Sequence, residues 1–289
     1  MAKDTKKPTT YDEQIATLKG RGCFISDEVF CKEKLEAINY YRLTAYFLPF
    51  KADKGDYVEG TSFHQVYRIY EFDRKLRAIL FSAVEEVEIY LRSRFAYFHA
   101  HKYGATGYLD ALNFSEKHNH EKFKTNIDRE IDSNRQVLFV KHHMENYDGV
   151  FPMWVISELF TFGMLSYFYN DLKTQDQKQL ASELYKTVPK NVISWLRCCT
   201  DLRNICAHYG RLYYRIFPAI PAGIQMADAA KRRLWGAIMA LRAVYPHSQK
   251  WNSEVLSALE SLFDEYAGDI NLYHLAFPAD WRGQLKKIV

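Results

Sequence analysis

The sequence predicts an all-α protein. Glycine (13) and proline (8) are sparse in 289 residues, apolar side chains recur at helical spacing in long runs, and no stretch alternates long enough to build a sheet. Hydrophobic residues make up 48% and charged residues 26%, so there is enough apolar surface for a real core, with disorder expected only towards the ends. At roughly 150 residues per domain the chain is one large or two modest domains. Its segments divide into an N-terminal helical extension and linker (1–60), a helical core (61–245) and a C-terminal helical tail (246–289).

The opening MAKDTKKPTT has charge but no apolar centre, and is expected to be a short loose tail rather than a signal peptide. Residues 11–50 read as two or three short helices. Thr10 or Asp12 can cap the first, Gly20 and Gly22 can end it, and Ser26 or Asp27 can cap the next. Lys51 to Gly60 is a polar linker. From 62 to 103 there is no Pro or Gly, and at about 100° per residue Val66, Ile69, Phe72, Leu76, Leu80, Ala83, Val84, Val87, Leu91 and Phe98 share one arc. A long amphipathic helix is expected there. Asp73 and Arg94 fall on the same apolar arc, where each is expected to be neutralised by a neighbouring helix.

Residues 115–147 suggest a more exposed helix or helical hairpin. Its histidines His118, His120, His142 and His143 lack the i, i+4 spacing of a helical zinc site, so no metal is expected. In 150–169 only Glu158 is charged, which is long enough to span a bilayer. Pro152, Gly163 and the absence of a flanking basic cluster favour a buried core helix of residues 152–170 and no membrane association. Within such a helix Glu158 would need a cation, with Arg94 the first candidate and Arg92 or a backbone group the others. A short helix near 176–185, a helix entered through Pro189, and helices near 228–245 and 253–266 complete the chain.

The net charge of +4 permits an acidic partner without demanding one. Five cysteines with no C-x-x-C pair indicate neither a disulfide framework nor a zinc knuckle, which fits the reducing cytoplasm. The helix over 192–209 divides its faces. Trp195, Cys198, Cys199, Leu202, Ile205, Cys206 and Tyr209 fall on an apolar arc, while Arg197, Asp201, Asn204 and His208 form the opposite stripe. The cysteines are therefore core thiols. Arg203 lies about 140° round from His208, so either the helix deforms or a second copy completes a site that uses both.

Arg203-Asn204-Ile205-Cys206-Ala207-His208 resembles the R-x4-H motif of the HEPN ribonuclease superfamily. Six blocks in order, QIATLKGRG, INYYRLTAYFLPF, YEFDRKLRAIL, VEEVEIYLRSR, FPMWVISELFTFG and LRNICAHYGRLYYR, are similar to AbiD/AbiF-type abortive infection proteins over residues 8–217. The resemblance implies a HEPN-like helical bundle acting as a metal-independent, cofactor-free endoribonuclease of antiphage defence, with the motifs of a homodimer facing each other. The substrate is RNA, left open between tRNA, mRNA and a regulatory non-coding RNA. A non-catalytic RNA-binding or dimerising scaffold is the alternative.

The residue types suit that chemistry. Histidine, with an ordinary pKa of about 6.5, moves protons near neutrality, and arginine is a planar multi-donor cation for a developing phosphorane. His208 and Arg203 are the candidates, and Asn204 is placed to orient the imidazole or touch a phosphate. Arg211 and Arg215 interleave with Tyr209, Tyr213 and Tyr214, a combination that grips unpaired RNA or simply packs tyrosines with arginines at the rim. Glu88 and Arg92, an i, i+4 pair, either staple a helix surface or border the site.

Overall fold

The computed structural model describes residues 5 and 7–288, so most of the expected N-terminal tail lies outside the described residues. Thr10 caps α1 (Tyr11–Gly20) in a reciprocal box with Glu13, and Asp27 caps α2 (Glu28–Ala37), which folds back on α1. The short α3 (Tyr40–Thr44) runs into a 3-10 stretch, Ala45–Phe50, which contains Pro49. Ser62 then caps α4 (Phe63–Tyr103), the long helix that the period anticipated, and it ends at Gly104 with φ 85°. At 1.5 Å per residue α4 is about 60 Å long.

Several further helices follow this rod. They are α5 (His120–Ser133) and α6 (Leu138–Asn146), two largely exposed helices in the segment expected to be exposed, then α7 (Met153–Ile156), α8 (Phe162–Asp171), α9 (Thr174–Tyr185) and α10 (Pro189–Ala207). After a loop come α11 (Asp228–Lys231), α12 (Leu234–Val244) and α13 (Ser248–Lys250), the last continuing through one wide turn (Trp251–Leu256) into α14 (Ser257–Glu265). Two short helices, α15 (Leu272–Leu275) and α16 (Trp281–Leu285), close the chain. Helix α4 packs on α7, α8, α10, α12 and α14, and α12 covers α10. Three isolated bridges are the extent of β-pairing among the described residues, so the fold is all-α.

Buried apolar residues form one cluster from Ile15 to Leu285. All nine arc residues of α4 from Val66 to Leu91 are buried, and Phe98 packs partly buried at their edge. The five cysteines are free, buried thiols, and burial raises their pKa values.

Four expectations need correction. The apolar run 152–170 is not one helix: α7 gives way to a 3-10 turn (Ser157–Leu159), Phe160 is extended, and Thr161 caps a new helix through Met164 N–H. Among the described residues no helix is long and apolar enough to cross a membrane. The segment 228–245 also breaks, at residues 232–233, with Gly236 so close to α11 that a Cβ there would lie 2.5 Å from the Lys231 carbonyl oxygen. Asp73 is neutralised within its own helix and by a loop rather than by a neighbouring helix, and among the described residues Arg94 has a buried Nε without a hydrogen-bond partner. Finally, His118 precedes α5 instead of lying on a helix, so its Nε2 meets His120 Nδ1 at 3.2 Å while its Nδ1 meets Asp171 at 3.0 Å. Among the described residues no group of three or more metal-ligating side chains gathers.

Candidate active site at the end of α10

Helix α10 starts at Pro189, whose missing N–H suits the first turn, and buries Trp195, Cys198, Cys199, Leu202 and Cys206 against the core. The opposite stripe is polar: Arg197, Asn204 and His208 are exposed and Asp201 half-buried. Regular helix stops at Ala207, and His208 is the C-cap. Tyr209 N–H donates to Cys206 O (3.1 Å) and Gly210 N–H to Ile205 O (2.7 Å), the paired bonds of a Schellman turn. Its left-handed position, which glycine normally fills, is held by Tyr209 at φ 55°. The reversal turns Tyr209 away from the apolar arc on which helical spacing placed it, and its side chain is 70% exposed.

The turn is clamped from outside. Arg42 of α3 donates to Tyr209 O. Beneath it, Asp73 is fully buried and accepts from Tyr46 Oη (2.7 Å), Leu212 N–H (3.1 Å), Tyr213 N–H (2.7 Å) and Arg77, which also donates to Gly210 O (3.2 Å). Burial pushes the Asp73 carboxyl up, opposed by Arg77 and by these hydrogen bonds. Arg42, Asp73 and Arg77 therefore position the chain on both sides of Gly210. Only Asp73 gave a signal in the sequence, as a charge on an apolar arc with an arginine four residues on.

Arg203 faces the other way, into a row of alternating charge. Its Nε lies 3.6 Å from Glu88 Oε2, Glu88 Oε1 accepts from Arg92 Nη2 at 2.7 Å, and Arg92 Nη1 lies 3.8 Å from Glu158 Oε2. Glu88 and Arg203 are 12% and 29% exposed, so the tether runs along a half-dry groove between α4 and α10. Arg92 also donates twice to Phe160 O, at 2.8 and 3.1 Å. That carbonyl is free because the chain is extended at Phe160, so the break in the apolar run is what brings 158–160 to Arg92. Glu158, expected to be buried against Arg94, is instead 56% exposed and faces Arg92. Its carboxylate needs no buried cation.

The fold thus gathers Glu88, Arg92, Glu158 and Arg203, and leaves Asn204 and His208 exposed at the helix end. Among the described residues no hydrogen bond joins Arg203 to His208, and the His208 imidazole has no hydrogen-bond partner; its backbone N–H bonds Asn204 O at 3.0 Å. Beyond the turn, Tyr213 is a correction. It is buried, its hydroxyl meets His274 Nδ1 at 2.7 Å and accepts from Asn271 N–H, and burial pushes its phenol up to about 12. It is a core residue and presents no face to a ligand. Arg211 and Arg215 are half-buried, with Arg211 Nη1 and Arg215 Nε unpartnered. Burial lowers the Arg211 pKa, and the nearby charges of Arg215 and Arg233 lower it further.

In comparison with known proteins, the model of a family described as Abi-like protein matches residues 33–214, more than half of the chain. No curated protein and no solved structure matches.

Proposed function

Since the chain belongs to the Abi-like family, an abortive-infection family, we propose that it is a metal-independent endoribonuclease of the HEPN type that acts in antiphage defence. The observation that carries this reading is the unequal anchoring of the motif: His208 stands free at a backbone-clamped helix end, while Arg203 is tethered by charge to Glu88 without a hydrogen bond from its Nε. A histidine with both ring nitrogens open can exchange protons with a substrate. A guanidinium held only by Coulomb attraction can turn part of its fork towards a phosphate.

In the proposed reaction the RNA 2′-OH gives its proton to His208 and its oxygen bonds to the adjacent phosphorus. Arg203 stabilises the charge of the phosphorane. The bond from phosphorus to the 5′-oxygen then breaks, and the leaving oxygen takes a proton from the protonated His208 of a second copy. The products are a 2′,3′-cyclic phosphate and a 5′-hydroxyl. A homodimer is part of the proposal because Arg203 and His208 point to different sides of one helix, and two copies across a cleft supply both groups on one substrate. Asn204 orients the imidazole or the phosphate, and Tyr209, Arg211 and Arg215 hold the flanking strand. Residues 61–245 form the catalytic core in this reading, with 1–60 and 246–289 as extensions. The missing contact between Arg203 and His208 within one chain favours, as second reading, a scaffold that binds RNA or dimerises without cutting.

The test is RNA cleavage by His208→Ala and Arg203→Ala proteins whose melting temperatures match the parent. General acid-base catalysis typically contributes about 10²- to 10⁴-fold, so His208→Ala should lose at least that range, with cyclic-phosphate ends from the parent and undiminished cleavage in EDTA. Full activity of His208→Ala, or strict need for Mg²⁺, rejects the mechanism. Dimers that bind RNA without cutting it establish the scaffold.

A further inference from the structure

The first two sequence blocks take no part in the reaction above, yet the fold closes them around a hollow of about 600 Å³. Its wall includes Lys7, Gln14 and Arg21, then Tyr40 and Tyr41 of α3, then Lys51. The volume suits one small organic ligand, which typically occupies a pocket of about 300–1,000 Å³.

Three features describe the occupant. First, among the described residues three cations and no carboxylate line the hollow, and Lys7, Arg21 and Lys51 form no ion pair. This is not general for the region, because Lys19 is paired with Glu28 at 2.5 Å and Lys32 with Asp12 at 3.0 Å. An uncompensated set of cations in a concave site is an anion receptor. Second, the wall is aromatic, with the rings of Tyr40 and Tyr41, and Tyr41 is 86% exposed, a flat apolar face that none of the described residues covers. Third, two polar atoms in the wall, Gln14 Oε1 and Tyr40 Oη, are enclosed without a hydrogen-bond partner, although the Gln14 amide nitrogen is used on Thr9 O at 3.2 Å. One acceptor and one donor are thus left over among the described residues.

Positive charge for a phosphate and an exposed tyrosine face for a base belong to one ligand class, and the acceptor and donor enclosed in the wall are not satisfied by the described residues themselves. We propose that this hollow binds a nucleotide unit, with its phosphate at Lys51 and Arg21 and its base against Tyr41. Its position gives binding a consequence for the motif. Tyr40 and Tyr41 face the hollow, and the next residue, Arg42, donates to Tyr209 O in the turn after His208. One five-residue helix separates the two sites. The nucleotide is either a unit of the RNA strand being cut, which rests on the ribonuclease reading, or a free nucleotide acting through α3, which does not need the strand to enter.

Binding is measured first, by calorimetric titration of AMP, GMP, CMP and UMP into the full-length His208→Ala protein, so that cleavage plays no part. At least one should bind saturably, and the double variant Lys51→Ala/Tyr41→Ala, changed at two exposed positions, should bind about tenfold or more weakly with an unchanged melting temperature. Absence of saturable binding by all four up to about 10 mM, or equal affinity of the double variant, overturns the proposal. The source is read from the parent protein. A unit of the strand makes the double variant raise KM for a long RNA and leave a dinucleotide substrate unaffected; a free nucleotide changes the cleavage rate of the parent and not of the double variant. Nucleotide binding by a protein that cuts no RNA would reject the ribonuclease reading and keep this one.

Discussion

Asp73→Asn is expected to release the segment that follows the motif. The carboxylate is fully buried and serves four donors, namely Tyr46 Oη, Leu212 N–H, Tyr213 N–H and Arg77. An amide has one oxygen to offer. If it keeps Tyr213 N–H, its NH₂ group must face the remaining donors, and Arg77, 6% exposed, is left without its counter-charge. Removing one member of a buried ion pair costs about 3–5 kcal/mol. The bond-by-bond route gives a similar figure, since losing two hydrogen bonds to a charged group costs about 1.5–3 kcal/mol each. A loss near 4 kcal/mol, at about 2–4 °C per kcal/mol for chains of this size, lowers the melting temperature by about 8–16 °C. The assay is urea unfolding at pH 7, with amide exchange followed at Tyr209 to Tyr214, where protection should fall first. Arg77→Met should cost a comparable amount, and the double variant should cost about 2 kcal/mol less than the sum. A loss below about 1 kcal/mol, or strict additivity, would refute the claim that this pair fixes the turn.

Tyr209→Gly should raise stability by about 0.5–1 kcal/mol, because glycine adopts the left-handed C′ position without a Cβ penalty, and should weaken RNA binding if the exposed ring stacks on a base; a destabilised variant would contradict the strain. His99 is buried beside Phe114 and Phe168, with both ring nitrogens unpartnered, and burial lowers its pKa to about 4. Below its unfolded pKa of about 6.5 the unfolded chain takes up the proton and the fold does not, so stability falls as pH drops from 6.5 to 4, by up to about 3 kcal/mol. Unfolding curves of His99→Phe over that range should lose the part of the slope that His99 contributes; an unchanged slope counts against the assignment. Glu158→Gln should move stability by less than about 0.5 kcal/mol, since Glu158 is 56% exposed, whereas Glu88→Gln should cost about 1.5–3 kcal/mol in the same urea assay; equal effects would show that the charged row is not graded by burial.

Elements whose causes are local were legible in the sequence. Helix α4 was, because 41 residues free of Gly and Pro carry one apolar period and a serine cap, and both facts lie within a few residues of their effect. The break at 157–161 was not, because one of its determinants is Arg92, 68 residues from the carbonyl it holds, and an apolar run reads the same whether or not a distant guanidinium pulls one of its carbonyls out. Asp73 lies between these cases. Its conflict with the apolar arc was visible, but its partner is Arg77, four residues on in the same helix, rather than the neighbouring helix that the conflict suggested, and the loop amides it grips lie 139 and 140 residues away. Tyr209 was misplaced by extending a helical period past Ala207, where Gly210 was the available warning.

The run R-L-Y-Y-R shows why composition alone misassigned Tyr213. Alternating bases and tyrosines are equally consistent with a gripping surface and with packing, and the choice is made by the backbone. Asp73 pins the N–H groups of Leu212 and Tyr213 from inside the protein, which turns both side chains into the core and leaves the flanking arginines at the rim. The same pin holds the turn that carries His208 from behind, while Arg203 is held from the side by a carboxylate of α4. The two halves of the motif therefore answer to different restraints, one of backbone hydrogen bonds and one of charge. A rise in ionic strength should act more on the second: it partly screens the Arg203–Glu88 tether, 29% and 12% exposed, and leaves the buried clamp under His208 intact.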